Sequence, residues 1–195
     1  MIDSTLIFIR DILNSSIQET IHSRVELGNI ALVDAFQDGS SDDLKNKIVV
    51  SLINVEEEKT LKNAHSFQTT TQPNGEVTVS KRRPPIYLNL YVLFAANDAK
   101  YENALHYLSR IIGFFQKQNV FEAQAYPQLS DARVERLVFD LYSLRFEELN
   151  QVWSVLGGKY IPSVLYRVRL VAIQEAPDVP TAIITKTRSE ETVLW

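Results

Sequence analysis

Hydrophobic residues recur at helical spacing in the first 22 residues, where isoleucine and leucine stand three or four positions apart. This pattern predicts an amphipathic helix over residues 2–22. Its polar side carries Arg10 together with Asp11 and Glu19. A helix that lies on a membrane is usually rich in lysine and arginine on that side. We therefore expect the helix to pack one face on a sheet.

Two further helical patterns lie in the second half of the chain. The first follows Asn97 and Asp98, which can end a strand and cap a helix, and it extends to about Lys117. Its expected buried stripe consists of Tyr101, Leu105, Leu108, Ile112 and Phe115, flanked by Ala104 and Ile111. The second begins after Ser143 and ends at the glycine pair 157–158, with Leu149, Trp153 and Leu156 on one side.

Four apolar runs have the length and composition of β-strands. They span residues 47–55, 86–96, 133–142 and 163–173, and a weaker run covers 31–36. The run at 47–55 is apolar on both faces, which indicates a central strand. Residues 127–131 are expected to form a turn.

Residues 56–83 are polar and interrupt this pattern. Asn74 and Gly75 are typical of a type I′ turn between threonine-rich arms, so we predict a long surface hairpin or loop. The segment ends in the basic triplet 81–83, which includes Arg82 and Arg83. Because no aromatic residues alternate with these charges, a solvated loop or a protein contact is favoured over a nucleic-acid patch.

The last part of the chain is expected to lack regular strand pairing, because Pro177 and Pro180 remove backbone donors. We predict a single domain over residues 1–176, followed by a C-terminal arm over 177–195. The apolar residues of this arm are Ile183, Ile184, Val193, Leu194 and Trp195. The arm is too short to form its own core, so we expect it to dock on the body of the same chain or on the sheet edge of another subunit.

The order of these elements predicts an α/β (α+β) fold. We expect a mixed, largely antiparallel sheet flanked by helices, with a long hairpin or loop and a C-terminal arm. The 195 residues are 45% hydrophobic, which is enough for a sizeable core, and the formal net charge is -4. There is no cysteine, no recognisable signal peptide and no apolar run of about 20 residues, so we expect a cytoplasmic protein.

The sequence offers no motif for catalysis, and we predict no enzyme, no cofactor and no metal site. His22, His65 and His106 are far apart and have no second ligand at a metal-binding spacing. The glycine pair 157–158 and Lys159 do not match a phosphate-binding loop, because Trp153 stands where that motif needs its first glycine.

The remaining features favour interaction with other subunits. Arg167 and Arg169 lie on one face of an otherwise apolar strand. This face is either simply exposed or pairs with a neighbouring subunit. Together with Arg82, Arg83 and the apolar residues of the arm, these two arginines are our candidate contact residues.

Two segments carry a resemblance to a known family. One joins PPIYLNLYVLFAA (84–96) to YENALHYLSRIIGFF (101–115), and the more specific one is FEELNQVWSVLGGKYIPSVLYRVR (146–169). Both resemble the tail terminator (cap) proteins of extracellular contractile injection systems, of the antifeeding prophage and Photorhabdus virulence cassette type. The resemblance covers most of residues 1–173.

The resemblance implies a structural role without catalysis. Such a subunit would form a hexameric ring on the distal end of the inner tube and sheath, end polymerisation and stabilise the extended sheath. The implied partners are further copies of the chain, the sheath protein and the inner tube protein, with no nucleic acid and no membrane. The implied location is the cytoplasm during assembly and the injection particle afterwards.

Two alternative functions remain. One is another oligomeric adaptor of such a particle (baseplate or tube-associated), and the other is a small enzyme whose site has no sequence pattern.

Overall fold

The part of the chain that the structure describes forms four α-helices and nine β-strands. The structure is a computed structural model that describes residues 1–17, 24–32, 44–58, 66–71, 77–82, 87–157, 159–172 and 179–180, with the backbone alone for 32, 66–71, 77–82 and 179–180. The helices are α1 (Ile2–Ser16), α2 (Tyr101–Lys117), α3 (Pro127–Asp131) and α4 (Phe146–Leu156). The strands are β1 (Val25–Leu27), β2 (Lys47–Glu57), β3 (Ser66–Thr71), β4 (Val77–Arg82), β5 (Tyr87–Asn97), β6 (Val120–Glu122), β7 (Val134–Tyr142), β8 (Ser163–Ala172) and β9 (Val179–Pro180).

Six of the strands form one mixed sheet with the order β1-β2-β5-β8-β7-β6. The short β1 runs parallel to β2, and the other neighbours in this sheet run antiparallel. The predicted mixed, largely antiparallel sheet is therefore confirmed. β2 and β5 pair directly up to Glu57 and Leu88, although the β3–β4 hairpin lies between them in sequence.

The three long strands β2, β5 and β8 bury apolar side chains on both faces. One face forms the main core with α1, α2 and α3, through Ile48, Val50, Leu90, Val92, Phe94, Tyr166, Val168 and Leu170. The opposite face forms a second core with α4 and the 3-10 turn Ile30–Leu32, through Val49, Leu93, Ala95 and Leu165. Burial of each such side chain stabilises the fold by about 1.5–3 kcal/mol. The prediction that residues 47–55 form a central strand is confirmed.

An aromatic cluster fills the main core between α2 and the sheet. The ring of Phe115 stacks on that of Phe139 with the centroids 4.2 Å apart and an angle of 14° between the planes. Phe94 and Tyr166 approach Phe115 with centroids 5.7 and 4.9 Å away. Such pairs add about 0.5–1.5 kcal/mol each to the burial of their area. The C-terminal half of α2 is therefore held firmly on β5, β7 and β8.

The buried face of α2 differs from the predicted stripe, although the predicted end of the helix at Lys117 is confirmed. Tyr101 and Leu105 are 65% and 44% exposed, whereas the buried residues are Ala104, Tyr107, Leu108, Ile111 and Phe115. Two neighbouring stripes of this helix are apolar, and spacing alone does not choose between them. The small Ala104 allows the helix to approach the sheet closely, which favours the observed face.

Three other local predictions were wrong. Residues 127–131 form the short helix α3 instead of a turn, since Pro127 occupies a first-turn position where its missing N–H costs nothing. Residues 31 and 32 belong to the 3-10 turn and not to a strand, while 33–36 lie outside the described residues. The residue that caps the start of α4 is Arg145 and not Ser143, and the backbone N–H of Arg145 donates to Glu148 Oε2 at 2.8 Å. The end of α4 at Gly157 is confirmed, with φ of 63° in the left-handed region that favours glycine.

We predict that Phe115→Ala destabilises the domain strongly because it leaves a cavity in the aromatic cluster. Phe115 is 2% exposed, and buried phenylalanine-to-alanine changes cost about 3–5 kcal/mol. The matched control is Phe146→Ala, since Phe146 is 90% exposed and its loss should change stability by no more than about 0.5 kcal/mol. Urea denaturation followed by circular dichroism measures both, and similar losses for the two variants would contradict the described packing.

Candidate assembly surfaces

Arg167 and Arg169 share one carboxylate on the face of the sheet that carries α4. The β7–β8 register places Asp140 opposite Arg167. Oδ2 of Asp140 accepts a hydrogen bond from Arg169 Nε at 3.0 Å and one from Arg167 Nη2 at 3.4 Å. The structure therefore brings the two predicted arginines together, and it adds an acidic partner that sequence reasoning had not linked to them.

This cluster carries one more positive charge than negative charge, because two guanidinium groups share one carboxylate. The side chains of Asp140, Arg167 and Arg169 are 32%, 38% and 45% exposed. Arg167 Nε is buried and has no hydrogen-bond partner. Arginine presents five N–H donors in a rigid planar group. The cluster therefore retains donors and a positive charge beyond what Asp140 neutralises.

A polar row on β2 and β5 lies beside this cluster. The hydroxyl of Tyr91, which is paired in register with Arg167, donates to Glu56 Oε2 at 2.9 Å. Burial is the main reason why the pKa of Tyr91 lies above its usual value, and the hydrogen bond to Glu56 raises it further. The ring of Tyr91 also meets that of Tyr142 edge to face, with centroids 5.3 Å apart. The face thus has an acidic side on β2 and a basic side on β8.

Helix α4 covers the other end of the same face. Trp153 is 6% exposed and packs with Leu93 and Leu165, while its ring contacts that of Tyr160 at a centroid distance of 5.7 Å. Leu156 packs against the same core. Trp153 and Leu156 therefore serve the fold, which leaves the charged end around Arg167 and Arg169 as the part that is open to a partner.

The predicted hairpin is confirmed by the pairing of β3 with β4, whose register runs from Ser66 and Arg82 to Thr71 and Val77. Its turn, residues 72–76, lies outside the described residues. β9 adds to this hairpin, since Val179 pairs with Lys81. The expectation that the prolines prevent pairing was wrong at this point, because a two-residue strand at a sheet edge tolerates the missing donor of Pro180.

The side chains of the other predicted contact residues are outside what the structure describes. Arg82 ends β4, where the structure describes the backbone alone, and Arg83 lies outside the described residues. The apolar residues of the arm, Ile183, Ile184, Val193, Leu194 and Trp195, also lie outside them. Their role in subunit contact stays a prediction.

The described residues show few features of a catalytic or metal-binding site. They contain no group of three or more His, Cys, Asp or Glu side chains that could hold a metal ion. His106 lies on the exposed side of α2, as the helical spacing predicts, and His22 and His65 lie outside the described ranges. None of the described helices is long and apolar enough to cross a membrane.

Comparison with known proteins matches residues 6–186 to the family described as the Pvc16 N-terminal domain. The chain belongs to this family. Two solved structures share its fold, the tube-terminating cap of the anti-feeding prophage and the PVC sheath/tube terminator of an extracellular contractile injection system in its extended state. Comparison with curated protein sequences finds no match.

Both structural relatives are distant in sequence and longer than this chain. The anti-feeding prophage cap is 13% identical with a TM-score of 0.60, and the match covers 97% of this chain and 61% of that one. The PVC terminator is 13% identical with a TM-score of 0.62, and the match covers 100% of this chain and 65% of that one. The chain thus spans a little under two thirds of each relative.

We predict that Asp140→Asn costs about 1 kcal/mol of stability at low salt, because it removes the charge that both arginines share. The loss should shrink in about 1 M salt, where screening weakens the interaction. Urea denaturation at both salt concentrations measures the effect. Asp11→Asn is the control, since Asp11 pairs with its neighbour Arg10 on exposed helix surface, and an equal loss in that variant would contradict a specific role for Asp140.

Proposed function

We propose that this chain is a structural cap subunit of a phage-tail-like contractile injection system. The observation that carries the proposal is the match along 97–100% of the chain to two structures described as a tube-terminating cap and a sheath/tube terminator. In this role the protein ends polymerisation of the inner tube and stabilises the extended sheath. It works by binding and not by catalysis.

The proposed assembly is a homohexameric ring that contacts the inner tube protein and the sheath protein. A ring closes through heterologous contacts, in which each subunit offers two different surfaces to its two neighbours. The charged sheet face around Arg167 and Arg169 supplies one such surface. The subunit folds in the cytoplasm and becomes part of the particle during assembly.

We propose the hairpin and the arm as the second surface. β9 already adds to β4, so residues that follow Pro180 start from the edge of a small sheet. Addition of a strand to a sheet edge is a common way to join chains. Arg82 and Arg83 lie at the base of this hairpin, and Ile183, Ile184, Val193, Leu194 and Trp195 are the apolar residues that the arm offers to a partner.

Co-expression with the tube and sheath proteins of the same particle tests the capping function. With this chain present, we expect particles of defined length that carry density at one end, because a bound ring blocks addition of further subunits. Without it, the tubes and sheaths should vary in length and lack that density. Electron microscopy of both preparations measures this, and identical length distributions would refute the proposed function.

We predict that Arg169→Ala lowers the fraction of capped particles while the subunit stays folded. Asp140 keeps its second partner, Arg167, so the loss of stability should stay below about 1 kcal/mol. The matched control is Lys100→Ala, an exposed cation at the start of α2 in the helical layer. Normal capping by Arg169→Ala would show that the basic end of the sheet face makes no essential contact.

A further inference from the structure

A groove runs between α1 and the C-terminal half of α2, away from the charged sheet face. Its main part has a volume of about 570 Å³ and an apolar wall formed by Ile7, Phe8, Ile12, Phe114, Phe121 and Tyr126. A second part of about 310 Å³ continues along α2 past Gly113 and shares Ser16, Phe114 and Gln118 with the first. Grooves of this size accommodate several apolar side chains.

The floor of the groove is formed by aromatic rings that pack against one another. Phe8 meets Phe121 edge to face at 5.8 Å and Tyr126 at 5.4 Å between ring centroids. Phe121 and Tyr126 are themselves 5.4 Å apart. Ile7, at the rim, is 41% exposed. The groove therefore presents an apolar surface of mutually packed rings with Ile7 at its rim, which favours binding of an apolar segment.

The end of the groove along α2 is basic. Arg110 and Lys117 line it, and Lys117 belongs to the last turn of the helix. Gly113 stands between them, and a Cβ atom placed there would meet nothing within 4 Å. A bound segment can therefore approach the helix backbone closely at Gly113 and place acidic side chains near Lys117.

The C-terminal arm has the matching sequence. Val193, Leu194 and Trp195 are three consecutive apolar residues, and the acidic pair Glu190 and Glu191 precedes them. The 15 residues from 181 to 195 span up to about 50 Å when extended, at roughly 3.3 Å per residue. The arm therefore has the length to leave its own subunit and the composition to fill an apolar groove that has a basic end.

We propose that this groove binds residues 190–195 of a neighbouring copy. The inference rests on the proposed function as an oligomeric cap, because a heterologous ring contact joins two different surfaces of neighbouring subunits. Here the end of the arm meets the groove, in addition to the contact proposed for the charged sheet face. The apolar residues lie on the aromatic floor, and Glu190 and Glu191 face the basic end near Lys117. The contact then links each subunit to the next in one direction around the ring.

Cysteine cross-linking tests the proposal directly, since the chain has no native cysteine. One variant carries Ser16→Cys at the groove and another carries Thr192→Cys in the arm. The two are mixed, treated with a short bis-maleimide in purified protein and in capped particles, and compared by denaturing gel. We expect a cross-linked dimer. Asn150→Cys, on the exposed side of α4 across the sheet, replaces Ser16→Cys in the control and should give none.

Changes at Gly113 show whether the groove itself is the binding site. Gly113→Phe fills the groove and should reduce the cross-linked dimer by about tenfold or more. Gly113→Ala adds a side chain too small to block it and should leave the dimer unchanged. Thermal unfolding checks that both variants fold. A dimer that survives Gly113→Phe would refute the proposed site.

The outcome also separates this inference from the proposed function. Cross-linking confined to single chains that carry both cysteines would mean that the arm binds its own subunit, which contradicts the proposal. Normal capping by the wild-type protein, together with no cross-link between the Ser16→Cys and Thr192→Cys variants, would refute the groove contact and leave the cap function standing. Failure of the wild-type protein to cap particles would refute the function on which the inference rests.

Discussion

Apolar side chains on both faces of β2, β5 and β8 are the constraint on which the rest of the structure depends. A sheet of this kind must be shielded from water on both sides, since each exposed core residue would forfeit about 1.5–3 kcal/mol. Helices α1, α2 and α3 pack on one side. On the other side α4 and the 3-10 turn cover one end, where Trp153 closes the second core.

The end of this second side that α4 and the 3-10 turn do not cover is polar, because side chains that stay in contact with water need not be apolar. Towards the other end, the strands carry Glu56, Asp140, Arg167 and Arg169 in place of aliphatic residues, and Tyr91 packs against the second core while its hydroxyl bonds to Glu56. The burial requirement and the proposed contact surface are thus two parts of one strand pattern. Charges of both signs on one face discriminate between partners and orientations more than they add affinity.

The parts of the fold that the sequence predicts well are those with long, uninterrupted patterns. β2, β5 and β8 lie within two residues of the predicted strands, because their apolar runs are bounded by polar or proline-containing segments. The three-residue strands β1 and β6 were missed, since three residues are too few to show a period. For α2 the bounds followed from the spacing but the buried face did not, because the choice depends on the shape of the sheet beneath it. Similarly, the pairing of Asp140 with Arg167 and Arg169 could not be predicted, because it required knowledge of which strands are neighbours.

The β3–β4 hairpin is inserted between two strands that pair with each other directly. Glu57 and Leu88 are register partners at the base of the insertion, so its two ends are only about 5 Å apart, the spacing of neighbouring strands. The entropic cost of closing a connection between two such ends depends only weakly on its length. Each doubling of the length adds about 0.6 kcal/mol to the free energy of closure. The insertion can therefore change in length and sequence while the six-stranded sheet stays as it is. This makes it a place where related proteins can diverge to suit different partners.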